Sequence, residues 1–104
     1  MTAKSGAVKD DAGKLRYDLI PPFALKELAR VFSYGAAKYG ERNWEAGLKW
    51  GRLFAAAQRH LWSWWAGEDA DPETSISHLA HAAWNCLALL EFARTYEEGD
   101  DRPV

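Results

Sequence analysis

The chain has a single cysteine, Cys86, so neither an internal disulfide framework nor a CxxC metal knuckle is open to it. Charge of one sign is not in excess either. Thirteen Lys and Arg stand against fifteen Asp and Glu, a formal net charge of −2. That balance gives little bulk attraction to nucleic acid or to an anionic membrane, and neither is expected as a partner. No apolar run approaches the roughly eighteen residues of a membrane span, and the N-terminus lacks the charged-then-apolar order of a signal peptide. A cytoplasmic location is expected. Period-two alternation of useful length is absent, and so are the GxxxxGKS or GxxxxGKT phosphate loop, GxGxxG and HExxH.

What remains is a globular composition. Of 104 residues, 48% are hydrophobic and 27% charged, which fits one domain over 1–104 and leaves no room for a second core. Aromatics are the excess: six Trp, four Tyr and four Phe. A domain of this size buries only about 60–70% of its unfolded surface, so some rings are expected at an interface or in a ligand cleft.

Three helices can be read along the chain. Residues 1–18 are charged and poor in apolar anchors, which reads as an extended arm. Within it, Gly13-Lys14-Leu15-Arg16-Tyr17 groups two cations and a ring that can fold over an anion. Pro21-Pro22 signals helix entry, and Leu25, Leu28, Ala29, Phe32 and Ala36 carry helical spacing to a stop at Tyr39-Gly40. A loop over Glu41–Leu48 leads to a second helix, from Lys49 or Arg52 to Ala66, with Gly67 as its stop. After the acidic loop 68–73, Thr74 or Ser75 is the expected cap of a third helix. That helix fades at Thr95-Tyr96 into a flexible tail, 97–104. The fold class is all-α, and three helices leave enough apolar surface open that a second copy is expected to complete the bundle.

The sharpest polar pattern is His78-x-x-His81-x-x-x-Asn85, whose side chains fall within about 60° on one helix face. Two imidazoles at that spacing can share a metal or an anion, and a buried Asn85 needs a polar partner. His60 follows Arg59 near the end of the second helix, and Glu68, Asp69 and Asp71 lie between it and His78. Mixed imidazole and carboxylate donors suit Mn²⁺, Fe, Co²⁺ or Zn²⁺, whereas Mg²⁺ prefers oxygen. On the first helix Glu27, Arg30, Tyr34 and Lys38 form one stripe, ordinarily a solvated, ion-paired face. Continued into Tyr39, Asn43 and Trp44, it gathers the rings, amide and cations that a nucleotide pocket requires.

Gly13–Pro22, Tyr34–Trp44, Arg59-His60, Gly67–Glu73 and His78–Ala83 together resemble the phage-encoded dATP/dGTP diphosphohydrolase N-terminal domain family, over about residues 7 to 93. The resemblance implies an all-α, MazG-like nucleoside triphosphate pyrophosphohydrolase, working as a dimer or tetramer. It implies metal-dependent cleavage of a purine (deoxy)nucleoside triphosphate to monophosphate and pyrophosphate, in the host cytoplasm. Neither the ExxE nor the ExxD carboxylate pair of the MazG pattern stands in its expected helix, and His78-x-x-His81 lies about where ExxD would fall. Expected metal or phosphate ligands are therefore His60, Asp71, His78 and His81, for Mg²⁺, Mn²⁺ or Co²⁺. Glu68 is the candidate base orienting water, with His60 as a second catalytic candidate. Lys14, Arg16, Lys38 and Arg59 are candidate phosphate contacts, and Tyr34, Tyr39, Asn43, Trp44 and Asn85 candidate nucleoside contacts. A pocket shared between subunits is expected, with Tyr34 and Lys38 of one chain facing His78 of another. The alternative is a non-catalytic phage protein that sequesters a nucleotide-derived signalling molecule.

Overall fold

The computed structural model describes residues 5–104; the first four residues of the expected arm lie outside the described residues. Three α-helices carry the fold: α1 over Pro22–Tyr39, α2 over Trp50–Trp65 and α3 over His78–Thr95. Among the described residues there is no strand, only an isolated antiparallel bridge between Ala70 and Ser77. Short 3₁₀ turns precede α1 (Tyr17–Leu19), join α1 to α2 (Asn43–Ala46) and follow α3 (Glu97–Gly99).

Local chemistry sets the helix ends. Pro22 occupies the first position of α1, where its missing N–H costs nothing. At the other end, Gly40 adopts φ 100° and donates its N–H to the Ala36 carbonyl. α2 ends in a Schellman arrangement: Gly67, at φ 104°, bonds the Trp64 carbonyl and Glu68 N–H bonds the Ser63 carbonyl. The chain then reverses sharply. Asp71 N–H donates to Ile76 O and Ser75 N–H to Asp71 O, and Ser75 turns at φ 61°. The cap of α3 is Ser77, whose Oγ accepts from Leu79 N–H, rather than the expected Thr74 or Ser75. Both of those residues are consumed by the tight loop, where Thr74 Oγ1 accepts from Ile76 N–H.

α3 is the central helix, packing on α2 along one side and α1 along another. Its core is thin, and half of the buried apolar residues are alanine. Val31, Ile76 and Ala80 form one buried cluster, Leu53, Ala88 and Phe92 another, and the half-buried Trp84 packs against both. Aromatic rings fill the space: Trp44 meets Trp84 edge-on at 5.9 Å and Phe92 at 5.7 Å.

The segment expected to be a flexible tail makes contacts far back in the chain. Trp50 Nε1 donates to the Tyr96 carbonyl at 3.0 Å, and Gly51 N–H, in the first turn of α2, donates to Asp101 Oδ1 at 2.8 Å. α2 has no cap from its own preceding residue, so Asp101 serves that purpose from fifty residues away. Arg102 lies 5.1 Å over the Trp50 ring, and its pairing with Asp100 holds that carboxyl down at about 2. These contacts have no local signal in the sequence, because Trp50 and Gly51 sit far off from Asp101 and Arg102.

Candidate functional site

Where α2 hands over to α3, three histidines converge. The glycine-terminated end of α2 and the bridged loop return the chain so that the first residue of α3, His78, lies beside His60. Their Nδ1 atoms stand 2.8 Å apart. A second contact joins His60 Nδ1 to Asp71 Oδ2 at 3.8 Å, and one donor atom from each of His60, Asp71 and His78 falls within 4.8 Å of the others. His81 stacks on the His60 ring, centroids 4.6 Å apart and planes 10° from parallel, while its Nε2 meets Thr74 Oγ1 at 2.7 Å. On the far ring nitrogen of His78, Nε2 pairs with Glu68 Oε1 at 2.6 Å.

Burial shapes the protonation of this group. It pushes His60 below the ordinary imidazole value, helped by the neighbouring His81 and His78, and it pushes His81 down likewise. For Asp71 burial acts upward, but backbone N–H bonds from Glu73 and Thr74 and the nearby His81 outweigh it and hold the carboxyl low. These shifts favour neutral imidazole at His60 and His81 and the ionised carboxylate at Asp71, the forms in which such side chains bind a metal ion.

Beside the histidines opens a cleft of about 830 Å³ between α1, the Asn43–Ala46 turn and the α2–α3 pair. Tyr34, Tyr39, Asn43, Trp44, His81 and Asn85 all line it. So do Phe32, Trp84, Arg42 and Arg52, which sequence reading did not single out. The aromatic excess was the available signal for Phe32 and Trp84. Nothing comparable marked the two arginines. Asn85 is 5% exposed and donates Nδ2 to the His81 carbonyl at 2.9 Å. Since a carbonyl only accepts, this contact fixes the amide's orientation and leaves Oδ1 as the free acceptor. His81 belongs to both cleft and histidine group, so the two regions are contiguous.

The polar stripe of α1 meets the acidic loop within the chain. Tyr34 OH at 2.9 Å and Lys38 Nζ at 2.8 Å both donate to Glu73 Oε1. Those bonds lower the Glu73 carboxyl and raise Lys38 and Tyr34. Arg30 pairs with Glu27 along the helix surface, the ordinary solvated arrangement. Lys14 and Arg16 lie exposed away from the cleft lining, Arg16 in a two-pronged pair with Asp18. Arg59 is exposed on α2 and does not line the cleft.

Over residues 4–102 the chain matches the family described as dATP/dGTP diphosphohydrolase, N-terminal. It belongs to that family. A relative from Salmonella phage PMBT28, named dATP/dGTP diphosphohydrolase, is 39% identical over 95 residues. The alignment takes in 91% of this chain and 32% of the relative, so the chain spans about a third of that protein's length. No solved structure matches. The three helices bear out the all-helical reading of the sequence, and no helix among the described residues is long and apolar enough to cross a membrane.

Proposed function

We propose that the cleft takes a purine (deoxy)nucleoside triphosphate and that the chain hydrolyses it, with a divalent metal ion, to the monophosphate and pyrophosphate. One observation carries this reading: an aromatic cleft continuous, through His81, with a cluster of imidazole and carboxylate donors. Base and phosphate chemistry then have adjacent places. Trp44 and Tyr39 offer faces for a base, Asn43 and Asn85 polar contacts at its edge, and Arg52 a guanidinium for phosphate oxygens.

The donor set fits a divalent ion: two ring nitrogens and an ionised carboxylate, from His60, His78 and Asp71, converge there. Such an ion would neutralise phosphate charge and lower the pKa of an attacking water. Burial disfavours the charged form of His60 and His81, and a neutral imidazole keeps one ring nitrogen as an acceptor beside its one N–H donor. His81, locked between Thr74 and the His60 ring, walls the junction between base and phosphate regions.

A second reading draws on the carboxylates. Of the acidic residues near the site, Glu73 is held by Lys38 and Tyr34, and Glu68 by His78. Asp71 is then the carboxylate in the three-residue donor group, a sparse set for phosphoanhydride hydrolysis and sufficient for sequestering a nucleotide-derived molecule. Incubating the purified protein with each dNTP and NTP, with Mg²⁺, Mn²⁺, Co²⁺ or EDTA, and resolving the products separates the two. Metal-dependent monophosphate and pyrophosphate, lost in Asp71→Asn, supports the enzyme. Tight nucleotide binding in EDTA with no product with any metal refutes it in favour of sequestration.

The working form on this reading is a homo-oligomer. α2 exposes Phe54, Trp62 and Trp65, and α3 exposes Leu87 and Leu90, at 42–73% exposure. The radius of gyration, 18.1 Å, exceeds the roughly 13 Å of a compact 100-residue domain. Light scattering after gel filtration is expected to give a dimer or tetramer, and a monomer in Trp62→Glu with Leu90→Glu.

A further inference from the structure

The contacts of His78 are more specific than a generic cluster. A carboxylate accepts hydrogen bonds and does not donate them, so the 2.6 Å contact to Glu68 Oε1 places the His78 hydrogen on Nε2. In the neutral ring, Nδ1 is then a bare lone pair, in a side chain only 5% exposed. The atom facing it at 2.8 Å, His60 Nδ1, supplies the single hydrogen that the contact requires. A metal ion can take the place of that hydrogen, receiving both Nδ1 lone pairs together with Asp71. Donors bound to one ion at about 2.0–2.2 Å stand roughly 3 to 3.5 Å apart. The observed separations from His60 Nδ1, 2.8 Å to His78 and 3.8 Å to Asp71, bracket that spacing.

Two neighbours act through these donors. Glu68 sits on the ring edge of His78 opposite His60, the usual place of a carboxylate that fixes a metal-binding histidine's tautomer and tilt. His81 commits Nε2 to Thr74 and gives His60 a flat face to lie on, so it packs the site rather than completing it.

We propose that His60 Nδ1, His78 Nδ1 and Asp71 Oδ2 form a three-donor seat for a divalent transition-metal ion, selected over Mg²⁺ by its two imidazoles, with Glu68 as its positioning residue rather than a base. The proposal deepens the metal-dependent reading above and rests on it for biological meaning only. It is tested without nucleotide. Tag-free, chelator-treated protein is titrated with Co²⁺, and the visible absorption of the bound ion is followed. One equivalent per chain is expected, undiminished by a large excess of Mg²⁺. Asp71→Asn loses the signal. Glu68→Gln weakens binding about 10- to 100-fold while keeping the stoichiometry. His81→Phe, which preserves the stack, still takes one equivalent. Far-UV circular dichroism and melting curves identify any variant that has merely unfolded, and the exposed Glu68 and half-buried Asp71 are chosen because His78 is core. Absence of Co²⁺ uptake, uptake undisturbed in Asp71→Asn, or loss of the Co²⁺ equivalent in His81→Phe overturns the seat, and wild-type affinity in Glu68→Gln overturns the positioning role. Hydrolysis with Mg²⁺ but no Co²⁺ uptake sinks this inference alone. Co²⁺ uptake without hydrolysis or nucleotide binding sinks the proposed function alone.

Discussion

Replacing Asn85 with leucine separates the two contacts this side chain can make. Its Nδ2 bond goes to the His81 carbonyl, which also accepts the N–H of Asn85 itself in the α-helical ladder. That carbonyl therefore keeps a partner when the amide is removed. Leucine is close in volume and gains from burial, so the stability change should stay within about 1 kcal/mol. For a domain of this size that is a melting shift of at most about 4–8 °C. The other end of the amide behaves differently. No buried side-chain polar atom lacks a partner among the described residues, and Oδ1 has no hydrogen bond there, so Oδ1 is reachable from the cleft. A base N–H that bonds it in the complex would face leucine instead, at a cost of about 1–3 kcal/mol for the unpaired donor. At 1.4 kcal/mol per decade this is about a 5- to 150-fold loss of affinity. Calorimetric titration with dATP and dGTP, alongside melting curves, measures both quantities. Unchanged affinity with an unchanged melt would refute a nucleoside-edge role for Asn85. A large fall in melting temperature would refute the claim that its intramolecular bond is dispensable.

Phe92→Ala should cost about 3–5 kcal/mol in urea unfolding, because the ring is 1% exposed and wedged between Trp44 and Tyr96; a loss under about 1 kcal/mol would contradict its place in the core. Acidification should destabilise the fold: His60 and His81 titrate below the unfolded imidazole value of 6.5, so the unfolded chain protonates first as pH drops. Their contribution is complete above about 6.5 and is lost as pH falls toward their lower folded values, so a melting temperature that is flat or rises on acidification would refute it. Asp101→Ala removes the distant cap of α2 and should cost about 0.5–2 kcal/mol, with faster proteolysis beyond Tyr96; protease resistance equal to the parent would show that the docked segment does not depend on Asp101.

Sequence alone determined the helices and named many of the residues that line the cleft and form the histidine cluster. Proline at an entry, glycines at two stops and 3.6-residue periodicity are local signals, and α1, α2 and α3 begin and end close to where they point. The stripe of His78, His81 and Asn85 is equally local, being helix geometry applied to spacing. Tertiary structure decided who meets whom. His60 and His78 stand eighteen residues apart in sequence, and their contact depends on the Schellman turn at Gly67 and the closed loop from Ala70 to Ser77. Lys38 and Glu73 meet because α1 and the acidic loop both pack against α3, which no helical spacing reports. Arg52 entered the cleft for the same reason, and residues 97–104 dock because Trp50 and Gly51 present a ring and an unsatisfied N–H fifty residues upstream. Periodicity records which face of a helix is apolar, and only packing of one face on another assigns each polar side chain its partner.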